Sequence, residues 1–324
     1  MNFKKSVLKR VLPLFALAAA GLAFIAPSAS ADTEKTLRIG YQKFNSLNIL
    51  KGTGALEKAL ASQHVKVSWH EFAAGPQLLE ALGSGAIDLG HAADTPSVFA
   101  QAAGKPVVYL AAEQPYPRGI GILADKDSAI DTIADLKGKR VAIGRGWNAQ
   151  YLLVLALEEA GLSYKDITPA YVNNAADAIA ALQSKSVDAV GLWDPFLAAA
   201  EKTLPVKTLR DGQGLSNNRT FYLSTAAFAD ANRPLLKTFF EQLGQTAEWA
   251  NANPQGVADL LAPQLGIGAD VLKLATERRN YAAVPMDAAI TAEQQKLADT
   301  FLRLGLIPKP LRVQDAIYPD TPLR

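Results

Sequence analysis

Two periodicities alternate along this chain. Short runs with apolar residues continuous or at every second position are separated by stretches with apolar residues three and four apart. That pattern predicts strands alternating with amphipathic helices, hence an α/β fold with mostly parallel sheets. Leu37–Tyr41 reads as a strand, Leu47–Ala61 as a helix and Val65–Phe72 as a strand. Pro76–Leu82 follows as a helix with proline at its favoured start, then Ile87–Gly90 as a strand, a helix from near Pro96 and a strand at Val107–Ala111. After Pro115-Tyr116-Pro117 the pattern restarts. Strands are predicted at Ile120–Ala124, Arg140–Ile143, Ala170–Val172 and Ala189–Leu192, with helices at Ala149–Ala160, Ala175–Leu182 and from Pro195. Beyond Phe221-Tyr222-Leu223 the stretch from Arg233 to Leu304 predicts helix nearly throughout, broken at Pro254, Pro263, Gly266–Gly268 and Pro285, before an irregular tail after Pro308.

One internal similarity organises these elements. Gly75–Pro96 and Asn174–Pro195 each run helix, polar break, acid, short strand, acid and proline. Asp88 matches Asp188, and Asp94-Thr95-Pro96 matches Asp194-Pro195. A duplication and shared turn chemistry both account for this; either way two similar α/β halves are expected. Open α/β sheets bind ligands at the carboxyl ends of their strands, so two facing halves make a cleft.

The first residues stand apart. Lys4, Lys5, Lys9 and Arg10 precede the apolar stretch Val11–Ala26, and Ala29-Ser30-Ala31 is a small-residue cleavage pattern. Residues 1–31 are therefore expected to be a signal peptide cleaved after Ala31, placing the mature protein in the periplasm. The stretch is short for a membrane span, and Pro13 interrupts it. Without the leader's four cations, the total of 33 lysines and arginines falls to 29, against 31 acids. No basic field for nucleic acid or membrane then remains. The chain has no cysteine, which excludes disulfides, thiol catalysis and thiolate metal sites.

Catalytic constellations are missing from the sequence: no G-x-S-x-G, no H-E-x-x-H, and only His64, His70 and His91, of which His91 ends a predicted strand. No catalytic residue, metal ligand or cofactor is expected. Gly144-Arg145-Gly146-Trp147-Asn148-Ala149 fits a dinucleotide fingerprint, G-x-G-x-x-A. Trp147 stands where a pyrophosphate should approach, and the next strand runs into Asn173 where the ribose-binding acid belongs. The turn reads better as a strand-to-helix junction with backbone N–H groups free for an anion. The turns Tyr41–Ser46, Ala73–Pro76 and Ala93–Pro96 share that character, and Trp193 precedes the capping Asp194-Pro195 at a strand end. Arg118 and Arg145 are candidate anion partners by position. Glu277-Arg278-Arg279 reads as a solvated charged face, and Asn218-Arg219-Thr220 as a chance glycosylation pattern.

With these segments in view, the chain resembles the aliphatic sulfonate-binding proteins of bacterial ABC importers. The carriers are Leu37–Lys43, Gly75–Leu82, Ile87–Gly90, Phe99–Gly104, Asp135–Gly138, Trp193-Asp194-Pro195 and Phe221–Leu223, spread over nearly the whole length. The resemblance implies a two-lobed type II periplasmic binding fold, lobe one comprising 32–120 and 224–324 and lobe two 121–223. It implies a monomeric receptor that captures a small anion, without catalysis, and delivers it to a permease and its ATPase. The implied ligand-binding residues are Gln42, Asn45, Gly75, Asp94, Thr95, Gly146, Trp147, Asn148, Trp193 and Asp194. Relatives often carry serines after the glycine matching Gly146, and small residues after Lys43; here Trp147-Asn148-Ala149 and Phe44-Asn45 make a bulkier, more aromatic cleft. Taurine, nitrate or a thiamine-precursor-like solute are the alternative cargoes, and a secreted nucleotide-dependent enzyme is the alternative of another class.

Overall fold

The computed structural model describes residues 35–323, so the expected leader lies outside the described residues. The first run of elements is β1 (Lys35–Tyr41), α1 (Ser46–Thr53), α2 (Ala55–Ala61), β2 (Val65–Glu71), α3 (Gly75–Gly83), β3 (Leu89–Ala93), α4 (Asp94–Ala102) and β4 (Val108–Glu113). The second is β5 (Ile120–Asp125), β6 (Arg140–Ile143), α5 (Asn148–Glu159), β7 (Thr168–Tyr171), α6 (Ala175–Gln183), β8 (Ala189–Trp193), α7 (Phe196–Thr203) and β9 (Val206–Asp211). The third is β10 (Thr220–Ser224), α8 (Ala226–Ala231), α9 (Arg233–Ala252), α10 (Pro254–Leu265), α11 (Ala269–Glu277), β11 (Ala283–Val284) and α12 (Ala288–Arg303).

The strands form two mixed sheets, ordered β11-β4-β10-β3-β1-β2 and β7-β6-β8-β5-β9. Each holds one strand that arrives from the other half of the chain and runs antiparallel to both neighbours: β10 between β3 and β4, β5 between β8 and β9. Strand alternation then buries both faces of each sheet. In β10, Phe221 and Leu223 join the core beneath α3, α4 and α12, and Tyr222 joins the core beneath α1, α2 and α9. In the second sheet, Ile120, Ile122 and Ala124 face the α5 side and Leu123 the α6–α7 side.

The internal similarity occupies equivalent places in the two sheets. The Arg38 N–H donates to Asp88 Oδ2 at 2.8 Å and the Asp88 N–H returns to Arg38 O at 2.8 Å. Arg140 and Asp188 repeat this at 2.7 and 2.8 Å. The acid before each third strand thus latches it to the first strand, which explains why Asp88 itself precedes β3. The Asp94 N–H donates to Arg219 O, and the Asp194 N–H to Gly119 O, where each crossing segment meets its sheet.

The two crossings pair with one another. The Tyr116 N–H donates to Asn217 O at 2.8 Å and the Gly212 N–H to Pro117 O at 3.0 Å. The chain has returned to the six-stranded sheet by Thr220, because Thr220 pairs with Ala93. The expected boundary at 223/224 therefore falls too late. The expected Leu47–Ala61 helix divides at Gly54, whose φ of +64° caps α1 and starts α2. Pro263 lies inside the last turns of α10 and does not break it. Neither β9 nor α8 carries a readable period; every residue of β9 is at least partly exposed, as suits an edge strand.

Candidate functional site

Six helices begin where parallel strands end, and their N-terminal N–H groups differ in how they are satisfied; at α6 the Asn174 side chain accepts from the Asp177 N–H at 2.9 Å. At α1 the Asn45 side chain accepts from the Leu47 and Asn48 N–H groups at 2.9 and 3.2 Å. At α4 the Asp94 carboxylate accepts from the Thr95 N–H at 2.6 Å, and at α7 Asp194 accepts from the Ala198 N–H at 3.0 Å. At α5 the Asn148 side chain accepts from the Ala149 N–H at 3.0 Å, and at α3 the N-cap residue, Ala74, has no side-chain acceptor. Residues at these last two starts, Gly75 and Pro76 from one half and Trp147 and Asn148 from the other, line one cleft of about 530 Å³ of empty space. Two helix N-termini from opposite halves thus present the positive ends of their dipoles to the same volume.

Behind them lies a buried charge cluster. Arg279 pairs through Nη2 with Glu113 Oε2 and donates to Thr220 Oγ1 at 3.1 Å, with the rings of Tyr116 and Tyr281 at 4.9 and 5.4 Å. Glu113 also accepts from Ser46 Oγ, from Tyr222 OH at 2.5 Å and from Thr220 Oγ1 at 2.8 Å, and His91 Nε2 lies 3.2 Å away. Burial alone would raise the Glu113 pKa, but the Arg279 charge and these donors outweigh it and hold the carboxyl well below its usual range. Burial lowers the pKa of His91, which is therefore neutral at pH 7. Glu113 is saturated, whereas the buried Arg279 Nε has no acceptor among the described residues. The buried Asn45 Nδ2, whose neighbour Ser46 bonds Glu113, has none either among the described residues.

Asp194 sits at the meeting of the halves. It accepts from Tyr116 OH at 2.6 Å and pairs with Arg278 at 3.3 Å, and Arg278 also pairs with Glu201. Burial raises the Asp194 pKa against the opposing pull of Arg278. The apolar wall comes from Phe44, Trp147 and Trp193, the two indoles meeting edge to face at 4.8 Å. Asn148 Nδ2 donates to Asn218 Oδ1 at 2.7 Å, and Asn218 Nδ2 to Tyr116 O at 2.8 Å, fixing the α5 start to both crossings.

The structure brings Gln42, Asn45, Gly75, Trp147, Asn148, Trp193 and Asp194 to this cleft, and His91 with them. Three expected residues are elsewhere. Thr95 is fully buried, and Asp94 lines a separate cavity. Gly146 has φ +74°, and a Cβ there would come within 3.3 Å of the Phe99 ring, so it is a packing contact between halves. Gly144 is small because the Trp147 indole lies where its Cβ would be. Both glycines of the G-x-G-x-x-A turn are thereby explained without a nucleotide. Arg118 is exposed, and Arg145 stacks on Tyr171 at 4.5 Å, outside the cleft. Asn218 is buried, which removes the glycosylation reading. The run Glu277-Arg278-Arg279 is not a solvated face, since the two arginine side chains are only 9% and 4% exposed. Their partners lie 84 and 166 residues away, and no local pattern announces them. Lys43, within the expected Tyr41–Ser46 turn, also lines the cleft, and so do Tyr116, Asn218 and Thr220, which no feature of the sequence places there.

Known proteins are similar to this chain in sequence and in fold. Residues 61–257 match the family model described as NMT1/THI5 like. The chain is 38% identical over 311 residues to a protein of Escherichia coli (strain K12) named as an aliphatic sulfonates-binding protein, covering 95% of this chain and 97% of that one. Among solved structures, the alkanesulfonate-binding protein SsuA of Xanthomonas axonopodis pv. citri, bound to MOPS, superposes with a TM-score of 0.83 at 38% identity, over 87% of this chain and 98% of that one. The periplasmic aliphatic sulphonate binding protein SsuA of Escherichia coli gives 0.77 at 39% identity, over 90% and 94%. The fold is the two-lobed, type II periplasmic binding fold expected from the sequence.

Proposed function

Because this chain belongs to the family of the aliphatic sulfonate-binding proteins, we propose that it is a periplasmic receptor that captures an organic sulfonate between its lobes and delivers it to the permease and ATPase of an ABC importer. The observation that carries the reading is a surplus of donors. Arg279 Nε and Asn45 Nδ2 are buried without acceptors among the described residues, in side chains lining a cleft onto which the N-termini of α3 and α5 open. A buried donor without a partner costs about 1–3 kcal/mol, and a ligand rich in acceptor oxygens removes that cost. A sulfonate supplies three such oxygens and one negative charge.

The remaining residues bear on the tail. Phe44, Trp147 and Trp193 offer an apolar wall that a bare sulfate or nitrate would leave unused, which favours a carbon-bearing anion. Among the cleft-lining residues the carboxylate is that of Asp194, already taken by Tyr116 and Arg278, which leaves none free for an ammonium group. This disfavours taurine against simple sulfonates. Capture needs no proton transfer: the anion meets fixed dipoles and a guanidinium, and the tail meets the indoles as the halves close.

Calorimetric titration of the purified protein with methanesulfonate, butanesulfonate, MOPS, taurine, sulfate and nitrate tests this. Butanesulfonate or MOPS is expected to bind one to one, at least tenfold tighter than sulfate, nitrate or taurine. No heat from any sulfonate overturns the reading.

A further inference from the structure

A second cavity, with about 760 Å³ of empty space, lies on the far side of the six-stranded sheet. Strand alternation separates it from the cleft. Thr220 and its pairing partner Ala93 line the cleft, while Arg219, Phe221 and Asp94, their chain neighbours, line the second cavity. Its walls come from α12, from the crossing segment before β10 and from Tyr151 on α5.

Its charged groups differ in how they are used. Glu293 pairs with Arg219 at 2.8 Å, and Arg219 Nη1 also donates to Glu113 O at 2.9 Å. Asp94 is 95% buried, and among the described residues only one of its oxygens is used: Oδ1 accepts from the Thr95 N–H and Oγ1, and Oδ2 has no partner there. The Gln294 amide, beside it, donates to the Asp94 carbonyl and to Tyr109 OH and so does not serve the carboxylate. Lys296, exposed two residues further along α12, has no ion-pair partner among the described residues. Phe221, Ile290 and Leu297 supply apolar wall.

We propose that this cavity is a second binding site, for a small solute with a primary ammonium at one end and an anionic group at the other, such as a short ω-amino acid. The ammonium meets the free oxygen of Asp94, the anionic end meets Lys296, and the methylenes lie along Phe221 and Leu297. A divalent metal fits poorly, since it needs several oxygen ligands and one unpaired carboxylate is present. No group of three acidic or histidine side chains able to hold a metal occurs among the described residues. Burial penalises the Asp94 charge, with its carboxyl pushed up to about 7, and a bound ammonium would relieve that penalty.

Titration calorimetry at pH 8 with β-alanine, ethanolamine and propionate tests the site. β-Alanine is expected to bind one to one, ethanolamine at least threefold more weakly, and propionate not at all. The isosteric Asp94→Asn is expected to weaken β-alanine at least tenfold. Lys296→Ala, on the exposed face of α12, is expected to bring β-alanine down to the level of ethanolamine, and it decides the matter should Asp94→Asn fail to fold. Trp193→Ala, in the sulfonate cleft, is expected to leave β-alanine binding within twofold. Silence with both amines, undiminished binding in Asp94→Asn or Lys296→Ala, or loss of binding in Trp193→Ala overturns the proposal. None of these outcomes depends on whether sulfonates bind.

Discussion

Replacing Asp94 by asparagine should change how the protein responds to pH. Burial is the dominant cause of this carboxyl's elevated pKa; the Thr95 hydrogen bonds oppose it, and the Glu293 charge adds to it. A value of about 7, against 3.8 for the free side chain, means that the folded protein keeps this proton long after the unfolded chain has released it. The associated stability is complete below about pH 4 and is lost as pH rises through about 7. At about 1.4 kcal/mol per pKa unit, roughly 2.5 kcal/mol disappears between pH 5 and pH 8. Asparagine keeps an oxygen for the Thr95 N–H and does not titrate. In thermal melts of both proteins, the Tm of Asp94→Asn relative to the parent should therefore rise by roughly 5 °C from pH 5 to pH 8, at about 2 °C per kcal/mol for a chain this long. Taking the difference between the two proteins cancels the contributions of Glu113 and His91. A Tm difference that stays constant with pH, or moves the other way, would refute the burial argument.

Three further outcomes follow from the packing. Glu113→Gln leaves the buried Arg279 charge without its partner; it should cost about 3–5 kcal/mol in urea unfolding and weaken sulfonate binding as Arg279 loses its anchor. Gly146→Ala places a side chain at φ +74° against Phe99, so a loss of about 1–2 kcal/mol is expected, measured by the same method. Asn45→Ala removes the α1 cap and one free donor at once; about 1 kcal/mol of stability should go, with at least a fivefold loss of sulfonate affinity by calorimetry.

The fold was readable because its signals are local. Arg140–Ile143 is short, apolar and bounded, and it stands where the pattern places it. Proline and asparagine mark the starts of α3 and α6 for the same reason. The cleft was readable only where it is made of turns that end strands, which holds for Gly75, Trp147 and Trp193. It was not readable where burial decides. Asp94 and Asp194 match in sequence, yet one faces the cleft and the other the cavity behind the sheet. The tandem arginines look solvated until Glu113 and Asp194 are brought to them by the sheets. Gly146 has the sequence of an anion turn but is held by a phenylalanine from the other half.

The placement of β10 also bears on the order of folding. β3 and β4 never touch each other; Thr220–Ser224 lies between them, and it is synthesised roughly a hundred residues after β4. At 5–20 residues per second, the inner edges of both strands stay unpaired for about 5–20 s after β4 has been made. The N-terminal half therefore cannot finish its own sheet until β10 has been made, and its two open strand edges stay free to take other partners throughout that interval.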